Sequence, residues 1–182
     1  MRSLGVEVQQ VDCDLRDPET IESAAQAVLD QGPPSVLINN AAVIHRACVE
    51  QTTLSEWQEQ LAVNLTAAFL WTRALLPALR EAGRGRLIHV GSIASTVGTA
   101  RAAAYCASKW ALVGFMKSLA EELSDSGLIT LAVLPGSVDT EMLRGSEFVP
   151  RMLPDQVAET LTHYALDAPT AHNGAIIEMF GV

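Results

Sequence analysis

Residues 128–138 read LITLAVLPGSV, seven residues of almost unbroken apolar character closed by Pro135 and Gly136. A strand with one wet face alternates apolar and polar residues, whereas a run like this one is covered on both faces. Similar short runs stand at 35–39 (SVLIN) and 86–90 (RLIHV). VEVQQV at 6–11 reads as a first strand and AIIEMF at 175–180 as a last one. Helical patterns separate them at 17–32, 52–83, 102–127 and 154–167. Their ends carry the expected signals. Asp17 is an N-cap followed by Pro18 in the first turn, Thr53 and Glu56 form a capping box, and Gly32 and Gly83 sit at helix ends. Near-strict alternation of strand and helix predicts an α/β fold, a doubly wound parallel sheet in three layers, α/β/α.

Open sheets of this kind bind ligands at the carboxyl ends of their strands. The informative residues should therefore follow the strand runs. CDL follows the first run, NNAA the second, GSIAS the third and PGSV the fourth.

Composition narrows the class of function. A net charge of −9 and a pI near 4.8 argue against a nucleic-acid surface, which needs clustered Lys and Arg. No apolar run approaches the roughly 20 residues of a membrane span, and the N-terminus MRSLGVEVQQ lacks a signal-peptide core. Cys13, Cys48 and Cys106 are odd in number and lack metal-ligand spacing, which favours unpaired thiols in a reducing cytoplasm and no metal site. His45, His89, His163 and His172 are scattered without ligand spacing. The helices around 61–79 and 103–123 are apolar on nearly every face. One face would pack on the sheet and the other meet a second subunit, giving a dimer or tetramer, or be covered by a lid within the monomer.

The chemistry converges on YCASK at 105–109. Positions i and i+4 stack on one helix face, so Tyr105 and Lys109 point the same way. A phenol titrates near pH 10, and a neighbouring ammonium lowers that value toward a working acid/base. Ser92, thirteen residues upstream and after a strand, can hydrogen-bond a substrate oxygen; Ser95 competes for that role. A serine-hydrolase reading fails, because no Gly-x-Ser-x-Gly elbow surrounds Ser92.

NNAA at 39–42, Asn64 in VNLTAAF, Ser92, YCASK and PGSVDT follow one another in an order and spacing that resembles the short-chain dehydrogenase/reductase family. The likeness runs over nearly the whole chain, and is greatest to bacterial 3-oxoacyl carrier-protein reductases and glucose dehydrogenases. It implies one Rossmann-like domain over 1–182, and a ketone or secondary alcohol as substrate with NAD or NADP as cofactor. It implies that Tyr105 moves the proton, Lys109 lowers the phenol's pKa and bonds the nicotinamide ribose, Ser92 holds the substrate oxygen, and Asn64 supports a water leading to Lys109. By the same likeness Asp14 and Leu15 touch the adenine, and Asn40 and Ala41 line the ribose and phosphate region. Pro135, Gly136, Val138 and Thr140 would receive the carboxamide. Asn64 can also be read as a polar break in a helix, and Asp14 as a turn residue. Ala42 stands where the family has glycine.

The Gly-rich turn that opens the family's first βαβ unit is not found, so the expectation is an N-terminally truncated domain. GRGR at 83–86 lies after a helix and before a strand, the wrong context. Only seventeen residues separate Gly136 from Pro154, an abbreviated substrate lid. Two readings of function follow. One is an NAD(P)-dependent oxidoreductase; the other is a cofactor-poor relative that binds a partner without turnover. An epimerase or dehydratase could use the same Ser and Tyr.

Overall fold

A computed structural model describes residues 5–181. Met1–Leu4 and Val182 lie outside it, and with them the extreme ends of the expected 1–182 domain. The elements in chain order are α1 (Pro18–Leu29), β1 (Val36–Asn39), α2 (Leu54–Leu61), α3 (Ala67–Ala82), β2 (Gly85–Val90), α4 (Ala103–Glu122), β3 (Leu128–Pro135), α5 (Pro154–Leu166) and β4 (Ile176–Met179). The strands form one parallel sheet in the order β1-β2-β3-β4.

The 128–135 run behaves as its composition demands: all eight residues of β3 are buried. Successive side chains of a strand face opposite ways. Accordingly Ile129, Leu131 and Val133 pack under α5 with Leu161, Tyr164 and Ala165. Ala132 and Leu134 pack under α4 with Met116. Leu87 and Leu128 join Leu75 and Leu79 of α3 and Leu119 and Leu123 of α4 on that second face. Helices thus cover both faces, as a doubly wound sheet requires.

Three expectations need correction. Residues 6–11 form no strand; Val6 and Val8 are more than half exposed. A strand exists only by pairing, and among the described residues no strand lies beside this segment to offer a ladder. Second, the helix expected over 52–83 is broken in its winding: Ala62–Thr66 is π-helical, between α2 and α3. Third, Leu54–Ala82 as a whole is a rod of 29 residues long and apolar enough to cross a bilayer by length and composition. Packing accounts for part of that composition: Leu70 packs with Ile21 of α1, and Leu75 and Leu79 pack with Leu87 of β2.

Candidate active site

The strand ends deliver the site. Gly91 continues β2, its N–H donating to the Val133 carbonyl at 2.8 Å, and Ser92 then opens a short turn, Ile93–Ser95. A Cβ at position 91 would collide with the tip of the Leu134 side chain and crowd Ser95 Oγ, so glycine is what the space here accommodates. Ser92 is fixed by the turn it caps: its Oγ accepts from Ala94 N–H at 3.1 Å, and its N–H donates to Ser95 Oγ at 3.3 Å. Ser95, the competing serine, is buried and serves that turn.

Tyr105 stands in the first turn of α4 and packs on Ala94 of the Ser92 turn, with Ala102 and Ile44 beside it. Lys109, one turn on, is 2% exposed; its Nζ donates to the Val90 carbonyl at 2.8 Å and lies 5.8 Å from the centre of the Tyr105 ring. Burial lowers the Lys109 pKa to about 8. Burial raises that of Tyr105, while the Ser92 side chain and the charge of Arg46 pull it down. The phenol's net shift is therefore upward, opposite to the expected depression by Lys109. The physical reason is burial of the phenol, which outweighs the charges and hydrogen bond that oppose it, while the Lys109 ammonium bonds the end of β2.

Asn64 lies in the π-helical turn, a local widening that recurs at functional positions. Its Oδ1 accepts from Val43 N–H at 2.8 Å, and its Nδ2 donates to Val43 O at 2.9 Å and to Ser108 Oγ at 3.0 Å. Ser108 in turn donates to the Tyr105 carbonyl at 2.7 Å. Asn64 therefore ties the loop after β1 to the tyrosine's helix. The sequence reading missed Ser108; the only clue was a small polar residue on the buried face one position before Lys109.

Another buried group escaped it too. His89 pairs in register with Asn39 and bonds its side chain at 3.2 Å; burial and the Lys109 charge hold its pKa down to about 4. It lies edge-on to Phe115.

A cavity of about 280 Å³ gathers Leu15, Asn40, Ala41, Asn64 and Lys109, together with Leu37, Ile38 and Trp71. Five of the expected residues are thus brought to one space. Pro135, Gly136, Val138 and Thr140 stand apart from it, at the end of β3. There Gly136 N–H donates to Met179 O at 2.8 Å and Val138 bridges to Met152. Thr140 is exposed. Asp14 lies outside the cavity lining too; its carboxylate takes two bonds from the Arg16 guanidinium, 2.9 and 2.7 Å, and its pKa falls to about 2. Among the described residues no group of three or more His, Cys, Asp or Glu could hold a metal.

The family model for short chain dehydrogenase matches residues 1–147. The chain belongs to that family. Curated short-chain dehydrogenases similar to it include a 3-oxoacyl-[acyl-carrier-protein] reductase of Vibrio cholerae, 34% identical over 70% of this chain and 53% of the relative. A D-threitol dehydrogenase of Mycolicibacterium smegmatis is 33% identical over 93% of this chain and 70% of the relative. The chain thus spans about half to 70% of their lengths. A solved structure of a candidate NAD(P)-dependent gluconate 5-dehydrogenase from Beutenbergia cavernae, with bound NADP at low occupancy, superposes with a TM-score of 0.91 at 30% identity, over 97% of this chain and 77% of that one.

A nicotinamide dinucleotide can be tested against these residues. The Lys109 ammonium carries three protons, and among the described residues only Val90 O receives one. A buried cation with donors to spare, beside Asn40, Ala41 and Asn64, suits the hydroxyls of a ribose. The pyrophosphate is served less well: among the described residues no Gly-rich turn joins a strand to a helix N-terminus. The donor set fits the sugar.

Proposed function

We propose that this short-chain dehydrogenase is an NAD(P)-dependent oxidoreductase interconverting a ketone and a secondary alcohol. The observation that carries the reading is the placement of Ser92, Tyr105 and Lys109 on adjoining strand-end and helix turns, each held by a named packing or hydrogen-bond partner. The relatives' dehydrogenase and reductase activities, and the NADP in the Beutenbergia structure, support it.

A nicotinamide cofactor held beside Lys109 would supply the hydride chemistry. The chain's own residues manage the rest. Ser92 Oγ donates to the substrate oxygen and fixes it. Tyr105 Oη delivers the proton to that oxygen in reduction and removes it in oxidation. Burial keeps the phenol protonated at neutral pH, which suits a proton donor; Ser92 and Arg46 limit the upward shift. Lys109 holds the ribose and keeps a positive charge beside the ring. Asn64 and Ser108 keep the Tyr105 helix and the loop after β1 in register. Pro135–Val138 would border the nicotinamide.

Titration with NADH and NADPH by fluorescence or calorimetry tests the reading. Saturable binding of either is the expected result; none at millimolar cofactor would remove the oxidoreductase reading for this chain.

Assembly follows from the outer helix faces. Phe69 on α3, Trp110 on α4 and Trp57 on α2 are exposed, and a groove of about 330 Å³ lined by Val49, Leu54, Trp57 and Ala104 runs between α2 and α4. These faces support a homo-oligomer built through α2–α4. Trp110→Glu should shift the sedimentation coefficient to that of a monomer; an unchanged value refutes this interface. The acidic charge supports a protein without a nucleic-acid partner, and the packing of the long rod one without a membrane partner. The three free thiols support a cytoplasmic location.

A further inference from the structure

The loop after β1 runs past the site mouth pinned at three places. Asn64 holds both backbone groups of Val43, His45 N–H donates to Gln60 Oε1 at 3.1 Å, and Ala47 N–H donates to Arg101 O at 3.0 Å. Ile44 packs against Tyr105 and Ala102. Arg46 is thereby carried on backbone fixed at both of its neighbours, next to the first turn of α4. Its charge reaches the Tyr105 phenol.

Among the described residues one cationic side chain is buried, Lys109, and two are half-buried, Arg46 and Arg86. Arg86 donates to the carbonyls of Tyr164 and Ala168, and Lys109 to that of Val90. Arg46 alone of the three has no side-chain partner among the described residues. Glu59, which meets the adjacent residue His45 at 2.8 Å, pairs also with Arg16 at 3.7 Å. A half-buried guanidinium without a counter-group leaves its donors free for an anion. Its planar fork of donors fits a carboxylate. The chain's net charge of −9 repels anions at long range, so a local cation has to select one.

We propose that Arg46 is a specificity-determining residue and that the substrate is a hydroxy acid, or its oxo-acid partner. Arg46 binds the carboxylate while the reacting oxygen rests on Ser92 and Tyr105. Oxidation breaks the carbinol C–H and O–H bonds, the hydride leaving to the nicotinamide and the proton to Tyr105. The proposal rests on the oxidoreductase reading and adds the substrate class. An uncharged alcohol of the same shape leaves Arg46 unpaired and is discriminated against for that reason.

The test compares gluconate with sorbitol, and 3-hydroxybutyrate with its methyl ester, in the wild type, Arg46→Gln and Arg46→Lys. NAD(P)H absorbance reads turnover and calorimetry reads binding. In the wild type at least one acid is preferred to its uncharged partner. Arg46→Gln raises KM for that acid about 10- to 100-fold but KM for the uncharged compounds less than about twofold, any change of kcat common to both reporting the charge lost near Tyr105, while Arg46→Lys recovers part of the KM loss. The proposal is overturned if neither acid is preferred, or if Arg46→Gln changes KM for acid and uncharged compound alike. Should no cofactor bind, the oxidoreductase reading fails, and calorimetry judges Arg46 separately. Acid binding by the wild type that Arg46→Gln abolishes upholds the role; no acid binding by the wild type refutes it.

Discussion

Two ends of the ligand crevice are built in different ways. At the end proposed for proton transfer the chemical residues are held, Lys109 and Asn64 by another element and Ser92 by its own turn. Ser92 is locked in its turn, Lys109 is bonded to β2, and Asn64 ties a loop to a helix while being 2% exposed. At the β1 edge, Asp14 meets Arg16 two residues away in full solvent, Ile38 is 40% exposed, and the 6–11 segment lies unpaired. The contrast shows where this fold invests its order: proton chemistry needs fixed heavy atoms, and for Lys109 and Asn64 the fixing comes from partners distant in sequence.

Substitutions should therefore be costly at the first end and mild at the second. The largest effect is expected at Asn64→Ala. It strands the Val43 N–H and C=O and frees Ser108, so chemical denaturation should show a loss of about 3 kcal/mol. A loss below about 1 kcal/mol would mean that water replaces the clamp.

Lys109 predicts a pH dependence of similar size. Its folded pKa is depressed to about 8 from 10.5, so between those values the unfolded chain binds more protons and stability rises with pH. The Tyr105 shift is upward from 10, which favours the folded state below pH 10 and loses that benefit above it. The clean window is pH 8 to 10, within a full effect of about 3 kcal/mol for Lys109. Lys109→Met should flatten the slope there, and an equal slope in both proteins would contradict the assignment.

Gly91→Ala comes next. The added methyl must displace Leu134 and disturb Ser95, at a cost of about 1–3 kcal/mol by thermal or chemical unfolding. Asp14→Asn is the smallest: its pair with Arg16 is fully exposed, and the unfolding midpoint should not move. A clear drop would show that the β1 edge is more tightly coupled to the core than its geometry implies.

The same contrast explains what could be read in advance. β1 to β4 and the helices were legible because apolar runs and capping residues are local signals. The strand at 6–11 was misread because alternation alone does not supply a neighbour to pair with. Tyr105, Lys109 and Ser92 were legible through their spacing. The roles of Ser108 and His89, the π-helical turn at Asn64 and the lone charge of Arg46 were not, since each depends on what another segment places opposite it. The upward shift of Tyr105 belongs with these: helix spacing put Lys109 on the right face, and only the structure shows how deeply the phenol is buried.

The central claim is that Tyr105 moves the proton at a site organised by Ser92 and Lys109. Tyr105→Phe tests it most directly, with turnover measured beside NAD(P)H affinity in the same preparation. The account predicts that turnover falls by at least about 100-fold while the cofactor dissociation constant stays within about twofold. Turnover equal to the wild type's would contradict it.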